Sequence, residues 1–131
     1  MSEIAKFFAE VAANLEGLKA DADVQALSRV WVREISRHKY AYNFTWMGRP
    51  IIQFPQDMVA MQELIWRIRP QRIVETGVAH GGSLIYYASL LELLGGEGRV
   101  VGVDIDIRPH NRAEIERHPM ARRIDLVQGS S

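Results

Sequence analysis

The chain has 131 residues, enough for a single domain that buries roughly two-thirds of its unfolded surface. Sixteen Lys and Arg balance sixteen Asp and Glu, so no global field draws the protein to nucleic acid or to an anionic membrane. The lack of cysteine excludes disulfide frameworks and thiolate metal sites, and fits a reducing, cytoplasmic location.

No apolar run approaches the ~20 residues that a membrane span requires. The opening Met1-Ser2-Glu3-Ile4-Ala5-Lys6 has an early acid and no long apolar stretch, unlike a signal peptide. Ser2 is placed to cap a first helix carrying Ile4, Phe7, Phe8, Val11 and Leu15 at helical spacing, with Gly17 near its end. Asp21 or Asp23 starts a second, with Val24, Leu27, Val30, Trp31 and Ile35 on its apolar side. It runs into the basic and aromatic cluster Arg37-His38-Lys39-Tyr40. A packed loop is expected from Asn43 to Pro55, because two prolines and a glycine forbid a continuous helix. Within it Arg49, and just beyond it Asp57, are weak candidates for the substrate side. Gln56 or Asp57 begins a third helix with Met58, Met61, Leu64, Ile65 and Ile68, and Pro70 ends it.

From Arg72 the period changes. A strand over 72–76, a helix over 82–94, a strand over 99–104, a helix around 112–118 and a strand over 124–128 alternate as βαβαβ. That alternation predicts a parallel sheet with right-handed crossovers. The fold expected is α/β: a helical N-terminal cap, then a partial doubly wound, Rossmann-like sheet of three strands. Residues 1–56 form the helical region with its packed loop, and residues 57–131 the N-terminal half of a nucleotide-binding domain. Three strands alone leave an apolar edge and an uncovered face, so a C-terminal half is expected beyond this chain.

The segment Ile73-Val74-Glu75-Thr76-Gly77-Val78-Ala79-His80-Gly81-Gly82-Ser83 carries the functional signal. Gly77, Gly81 and Gly82 let the backbone approach a ligand, and the following helix start offers free N–H groups. Ala79 stands where a dinucleotide fingerprint needs its second glycine, and no lysine follows the turn, so phosphate-binding patterns fail. Glu75 would repel a pyrophosphate and attract a cation such as S-adenosylmethionine. Without a ligand, the same residues would form an ordinary strand–helix turn.

Asp104 ends the next strand about twenty residues on, where a carboxylate suits the two ribose hydroxyls. A turn cap is its alternative role. Asp106 is equally explained by pairing with Arg108 or Arg112. Calcium is rejected, since Arg108 occupies the third loop position and no glycine follows. His80 lies inside the loop and within reach of a ligand, whereas His38 and His118 read as surface or capping residues. His110 and His118 are eight apart and form no zinc motif. No G-x-S-x-G elbow is present, so Ser83 reads as an early helical residue.

With these residues in view, the chain resembles the cephalosporin hydroxylase and rhamnosyl O-methyltransferase family of class I methyltransferases. The resemblance spans about Phe44 to Ser131. It rests on Phe44-Thr45-Trp46-Met47-Gly48-Arg49-Pro50-Ile51, Gln53-Phe54-Pro55-Gln56-Asp57, the segment from Glu75 to Ser83, Asp104-Ile105-Asp106-Ile107-Arg108-Pro109-His110-Asn111 and Gln128-Gly129-Ser130-Ser131. It implies an S-adenosylmethionine site built from Glu75, Thr76, Gly77, Ala79, His80, Gly81, Gly82, Ser83, Asp104 and Ser130. It further implies methylation of a hydroxyl on a small molecule or glycolipid sugar, in lipid or secondary-metabolite biosynthesis. Magnesium, held by carboxylates of later strands, is implied only for a full-length protein. No catalytic or metal-binding residue is assigned in this chain, which is expected to be an inactive fragment by itself. The alternatives are a non-catalytic assembly module pairing its open sheet with another chain, a homo-oligomer included, and an NAD-dependent oxidoreductase.

Overall fold

A computed structural model describes all residues from Met1 to Ser131. The chain divides into two compact units, Met1–Tyr40 and Ala41–Ser131.

The first unit consists of α1 (Glu3–Ala20) and α2 (Ala22–Ser36). The Ser2 hydroxyl accepts from the Ala5 N–H, and Asp21 accepts from Asp23 and Val24, so both predicted caps form. The apolar spacing that marks the helices does not bury them, however. Neither helix has a buried residue, and Phe7, Phe8, Leu15, Leu27 and Trp31 remain exposed.

The second unit opens upstream of residue 57, the domain start expected from the sequence. Residues from Ala41 onward belong with the sheet, and the expected packed loop contains a β-hairpin. Its strands, β1 (Phe44–Trp46) and β2 (Arg49–Ile51), pair antiparallel with Thr45 opposite Pro50. Met47 and Gly48 both have positive φ, 45° and 85°, as a tight primed turn requires. Pro50 fits here because proline is tolerated on an edge strand, and a two-stranded ribbon has only edges.

The helix α3 (Pro55–Ile68) begins with Pro55 in its first turn and ends on Arg69 in the left-handed region. There follow β3 (Arg72–Thr76), α4 (Gly82–Leu94), β4 (Arg99–Asp104), α5 (Pro109–Arg117) and β5 (Ile124–Gln128). A 3₁₀ turn over Pro119–Arg123, not foreseen from the sequence, leads into β5. The three strands are parallel in the order β3-β4-β5, with Glu75 beside Gly102 and Asp104 beside Gln128. The strands β3 and β5 are therefore the sheet's edges, and Val74 and Val127 are exposed on them.

The centre of this unit is α4. Eight of its 13 residues are buried, as expected for a helix that is apolar nearly all round. Leu84, Ile85 and Leu91 pack with Val100 and Ile124 of the sheet, Ile51 of the hairpin and Ile115 of α5. The Trp46 ring meets Tyr86 edge-on at 4.9 Å between centroids, and its indole N–H donates to Ser89 Oγ at 2.9 Å. The Tyr86 hydroxyl in turn donates to the Met58 carbonyl, tying α4 to α3. Tyr86→Phe keeps the ring contact and removes that bond, so a loss of about 1 kcal/mol is expected in denaturant unfolding. An unchanged midpoint would show that the bond contributes nothing net.

No helix is long and apolar enough to cross a membrane.

Candidate functional site

The carboxyl ends of β3 and β4 face a cavity of about 610 Å³, the size range of small-ligand sites. Its walls come from three places: the turn between β3 and α4, the end of β4 with the start of α5, and the hairpin edge at Pro50, Ile52 and Gln53. Glu75, Gly77, Ala79 and His80, all expected from the sequence near a ligand, line it. Gly81, Gly82, Ser83 and Asp104 complete that group.

Glu75 stands at the penultimate position of β3, half-buried, and accepts a 2.7 Å hydrogen bond from the Ser83 hydroxyl on Oε2. Burial raises its pKa above the ordinary 4.5, and the Ser83 bond offsets that rise in part. Burial raises the Tyr87 phenol too; its bond with Gln53 opposes the shift, and the Glu75 charge adds to it. The Gln53 amide lies 3.5 Å from that phenol.

Asp104 combines the roles that the sequence left open. Its Oδ2 accepts the Val78 N–H at 2.8 Å, and Oδ1 accepts the Asp106 N–H at 3.1 Å. These bonds, that to Val78 foremost, hold its pKa below the usual carboxylate value. The side chain therefore staples the glycine turn to the end of β4 while still lining the cavity. Asp106 also lines the cavity and forms no ion pair with Arg108 or Arg112; Arg112 instead pairs with Glu116 on α5.

The glycines divide by cause. Gly77 and Gly81 have φ near 87° and 81°, a conformation that only glycine adopts without strain. Gly82 does not. A Cβ there would lie 2.1 Å from the Pro50 carbonyl oxygen, so its reason is the hairpin backbone packed against it rather than a ligand. Ala79 also has positive φ, 46°, where a non-glycine residue stores strain. The Val78 carbonyl closes the turn by accepting from the Gly81 N–H at 2.8 Å.

Ser130 and Thr76 fall elsewhere. With Gly129, Val103 and Ile105 they line a second cavity of about 400 Å³ that shares Gly77 and Asp104 with the first. Arg49, a weak substrate-side candidate in the sequence, does not line the main cavity; its guanidinium turns to the glycine loop. Asp57 lies in a separate groove with Met61 and Leu64. His118 caps the 3₁₀ turn, its Nδ1 accepting from the Met120 N–H and its Nε2 facing the Met47 carbonyl at 3.0 Å. That pattern assigns its proton to Nε2.

Gln53, Asn111 and Arg108 line the cavity but were not foreseen. Their only sequence signal was membership of the matched family stretches. No group of three or more His, Asp or Glu side chains gathers to hold a metal ion.

The sequence model of the rhamnosyl O-methyltransferase/CmcI family matches residues 38–131, well over half the chain. The chain belongs to this family. A rhamnosyl O-methyltransferase of Mycobacterium leprae (strain TN) is 30% identical over 96 residues, covering 69% of this chain and 39% of that protein. One from Mycobacterium tuberculosis (strain ATCC 25618 / H37Rv) is 32% identical over 73 residues, covering 51% and 30%. A solved CmcI structure with SAH is 29% identical, with TM-score 0.53, covering 66% of this chain and 43% of its own. Another with Mg-SAM is 28% identical, with TM-score 0.54, covering 68% and 37%. The three-stranded parallel sheet and its helices are thus the family's fold in part. The chain spans less than two-fifths of the length of these rhamnosyl O-methyltransferases.

Proposed function

We propose that this member of the rhamnosyl O-methyltransferase/CmcI family binds S-adenosylmethionine in the cavity at the ends of β3 and β4, and serves O-methylation. The observation that carries the reading is Glu75, a half-buried carboxylate facing a glycine loop that has no lysine or arginine to receive phosphate. With Glu75, Asp104 and Asp106 against Arg108 in its lining, the cavity favours a cationic nucleotide-like ligand over an anionic one. Relatives solved with SAH and with Mg-SAM support the same choice.

In this reading Glu75 faces the positive end of the ligand, and the Ser83 bond opposes the rise in its pKa that burial causes. Asp104 accepts from the ribose hydroxyls, and the loop from Gly77 through Ala79, His80 and Gly81 to Gly82 brings backbone close to the ligand. Ser130 and Thr76 border it from the adjoining cavity. When bound, S-adenosylmethionine supplies an activated methyl group, so the protein's contribution is proximity and alignment rather than activation of the donor. The acceptor is a hydroxyl of a small molecule or glycolipid sugar.

Magnesium does not fit the residues present. No three His, Asp or Glu side chains gather near the cavity to hold the ion. No step is assigned to a metal in this chain.

Calorimetric titration with S-adenosylmethionine, S-adenosylhomocysteine and NAD tests the proposal. Binding of the first two with no heat from NAD is expected. Preferential NAD binding would make the site an oxidoreductase's, and a stable homodimer with no affinity for either would favour an assembly module.

The Glu75 shift gives a pH dependence of known sign. Its folded pKa is raised, so the protonated form favours the fold; that contribution is complete below the ordinary 4.5 and lost as pH rises through the folded value. Ligand binding runs the other way. Affinity for the sulfonium is expected to fall on acidification beginning above the usual carboxylate range, with a weaker effect for S-adenosylhomocysteine. Ser83→Ala removes the bond that holds the pKa down, and moves the midpoint upward. Identical pH profiles for the two ligands would remove Glu75 from this role.

A further inference from the structure

We infer that Arg49 is a positioning residue, holding the glycine loop in its ligand-accepting shape without touching the ligand. Its Nε and Nη2 both donate to the His80 carbonyl, at 3.0 and 2.7 Å, and Nη2 also donates to Asn111 Oδ1 at 3.2 Å. Asn111 is buried at the start of α5. One guanidinium thus joins the hairpin, the loop and α5. The inference rests on the reading of this cavity as an S-adenosylmethionine site.

The loop needs such a hold. Ala79, immediately before His80, sits in the left-handed region, a cost that the surroundings must keep paid. On one side of it the Asp104 carboxylate takes the Val78 N–H, and on the other Arg49 takes the His80 carbonyl. The strained residue is pinned between two charged groups of opposite sign, each matched to the backbone group it meets. Behind the loop, Gly81 leaves no room for a Cβ because Ile115 of α5 would lie 2.4 Å from it. The planar fork can place two donors on one carbonyl and a third bond on Asn111, which a lysine ammonium cannot reproduce in one geometry. Residues 31 positions apart in the chain therefore set the shape of the nucleotide turn.

Arg49→Lys and Asn111→Ala test the clamp, each measured in two ways. Hydrogen exchange of the amides from Val78 to Gly81 reads the free loop, with the β4 amides as an internal reference. Calorimetry with S-adenosylhomocysteine reads the site. The expected result for Arg49→Lys is about tenfold faster exchange in the loop with β4 unchanged, and about tenfold weaker binding. Asn111→Ala gives a smaller change of the same kind, and the double variant falls short of the product because both act through one guanidinium. Unchanged loop exchange overturns the inference. So does acceleration spread equally over β4, which would make Arg49 a general contributor to stability. If the unaltered protein binds no S-adenosylhomocysteine, the proposed function fails, and the exchange pattern alone decides the clamp.

Discussion

Gly82→Ala is expected to lower the melting temperature of the sheet unit by about 12 °C or more. A Cβ at that position would lie 2.1 Å from the Pro50 oxygen, 2.6 Å from the Pro50 carbonyl carbon and 2.7 Å from the Ile51 Cα. All three are backbone atoms of β2, so no rotamer change relieves the clash. Overpacking against such a wall costs about 3 kcal/mol, the upper part of the usual range, and each kcal/mol shifts the midpoint of a domain this size by about 4–8 °C. Gly77→Ala is the informative control. Its Cβ would meet nothing within 4 Å, yet its φ of 87° makes any side chain strained. About 1 kcal/mol is expected there from the backbone alone. A melting temperature for Gly82→Ala within a few degrees of the Gly77→Ala value would show that the hairpin yields, and would refute close packing as the reason for Gly82.

Asp104→Asn is expected to weaken S-adenosylhomocysteine binding about 100-fold or more. The substitution keeps the volume and removes the charge, so both the bonds from Val78 and Asp106 and the acceptor proposed for ribose lose strength together. Two charge-assisted bonds from the ribose hydroxyls, at about 1.5 kcal/mol each, account for that factor. The sign of the accompanying stability change is fixed. Because its folded pKa is lowered, Asp104 stabilises the fold fully above its unfolded value of about 3.9, and that contribution disappears as pH falls through the folded pKa. The variant should therefore lose stability at neutral pH and show a flatter acid-unfolding curve than the unaltered protein. Binding within threefold of the original would remove Asp104 from the ligand site and leave it a turn cap.

Much of the βαβαβ half was legible from local pattern. The bounds of β3, α4, β4 and β5 agree with those read from the sequence, because β-branched runs, a glycine-rich turn and the double glycine at Gly95-Gly96 mark them within a few residues. The cap at Ser2 was legible from its side-chain oxygen, and that of α2 as either Asp21 or Asp23, of which Asp21 forms it. The hairpin was not. Two prolines and a glycine from Asn43 to Pro55 rule out a helix and read as a packed loop, whereas the three-residue strands Phe44–Trp46 and Arg49–Ile51 are too short to show an alternating pattern. Helical spacing in the first unit likewise identified α1 and α2 correctly but said nothing of what would cover Phe7, Phe8 or Trp31.

The sequence by itself determined three parts of the cavity, though not Gln53, Arg108 or Asn111: an acid at the end of β3, a glycine loop without a lysine or arginine, and an acid at the end of β4. Each is a short-range pattern, in which a residue's type and its distance from a strand end are enough. Only the tertiary structure decided what shapes that cavity. Gly82 answers to Pro50, Gly81 to Ile115 and His80 to Arg49, and each pair is separated by some thirty residues of chain. Steric exclusion and hydrogen-bond direction act across space, so they leave no periodic trace along the chain.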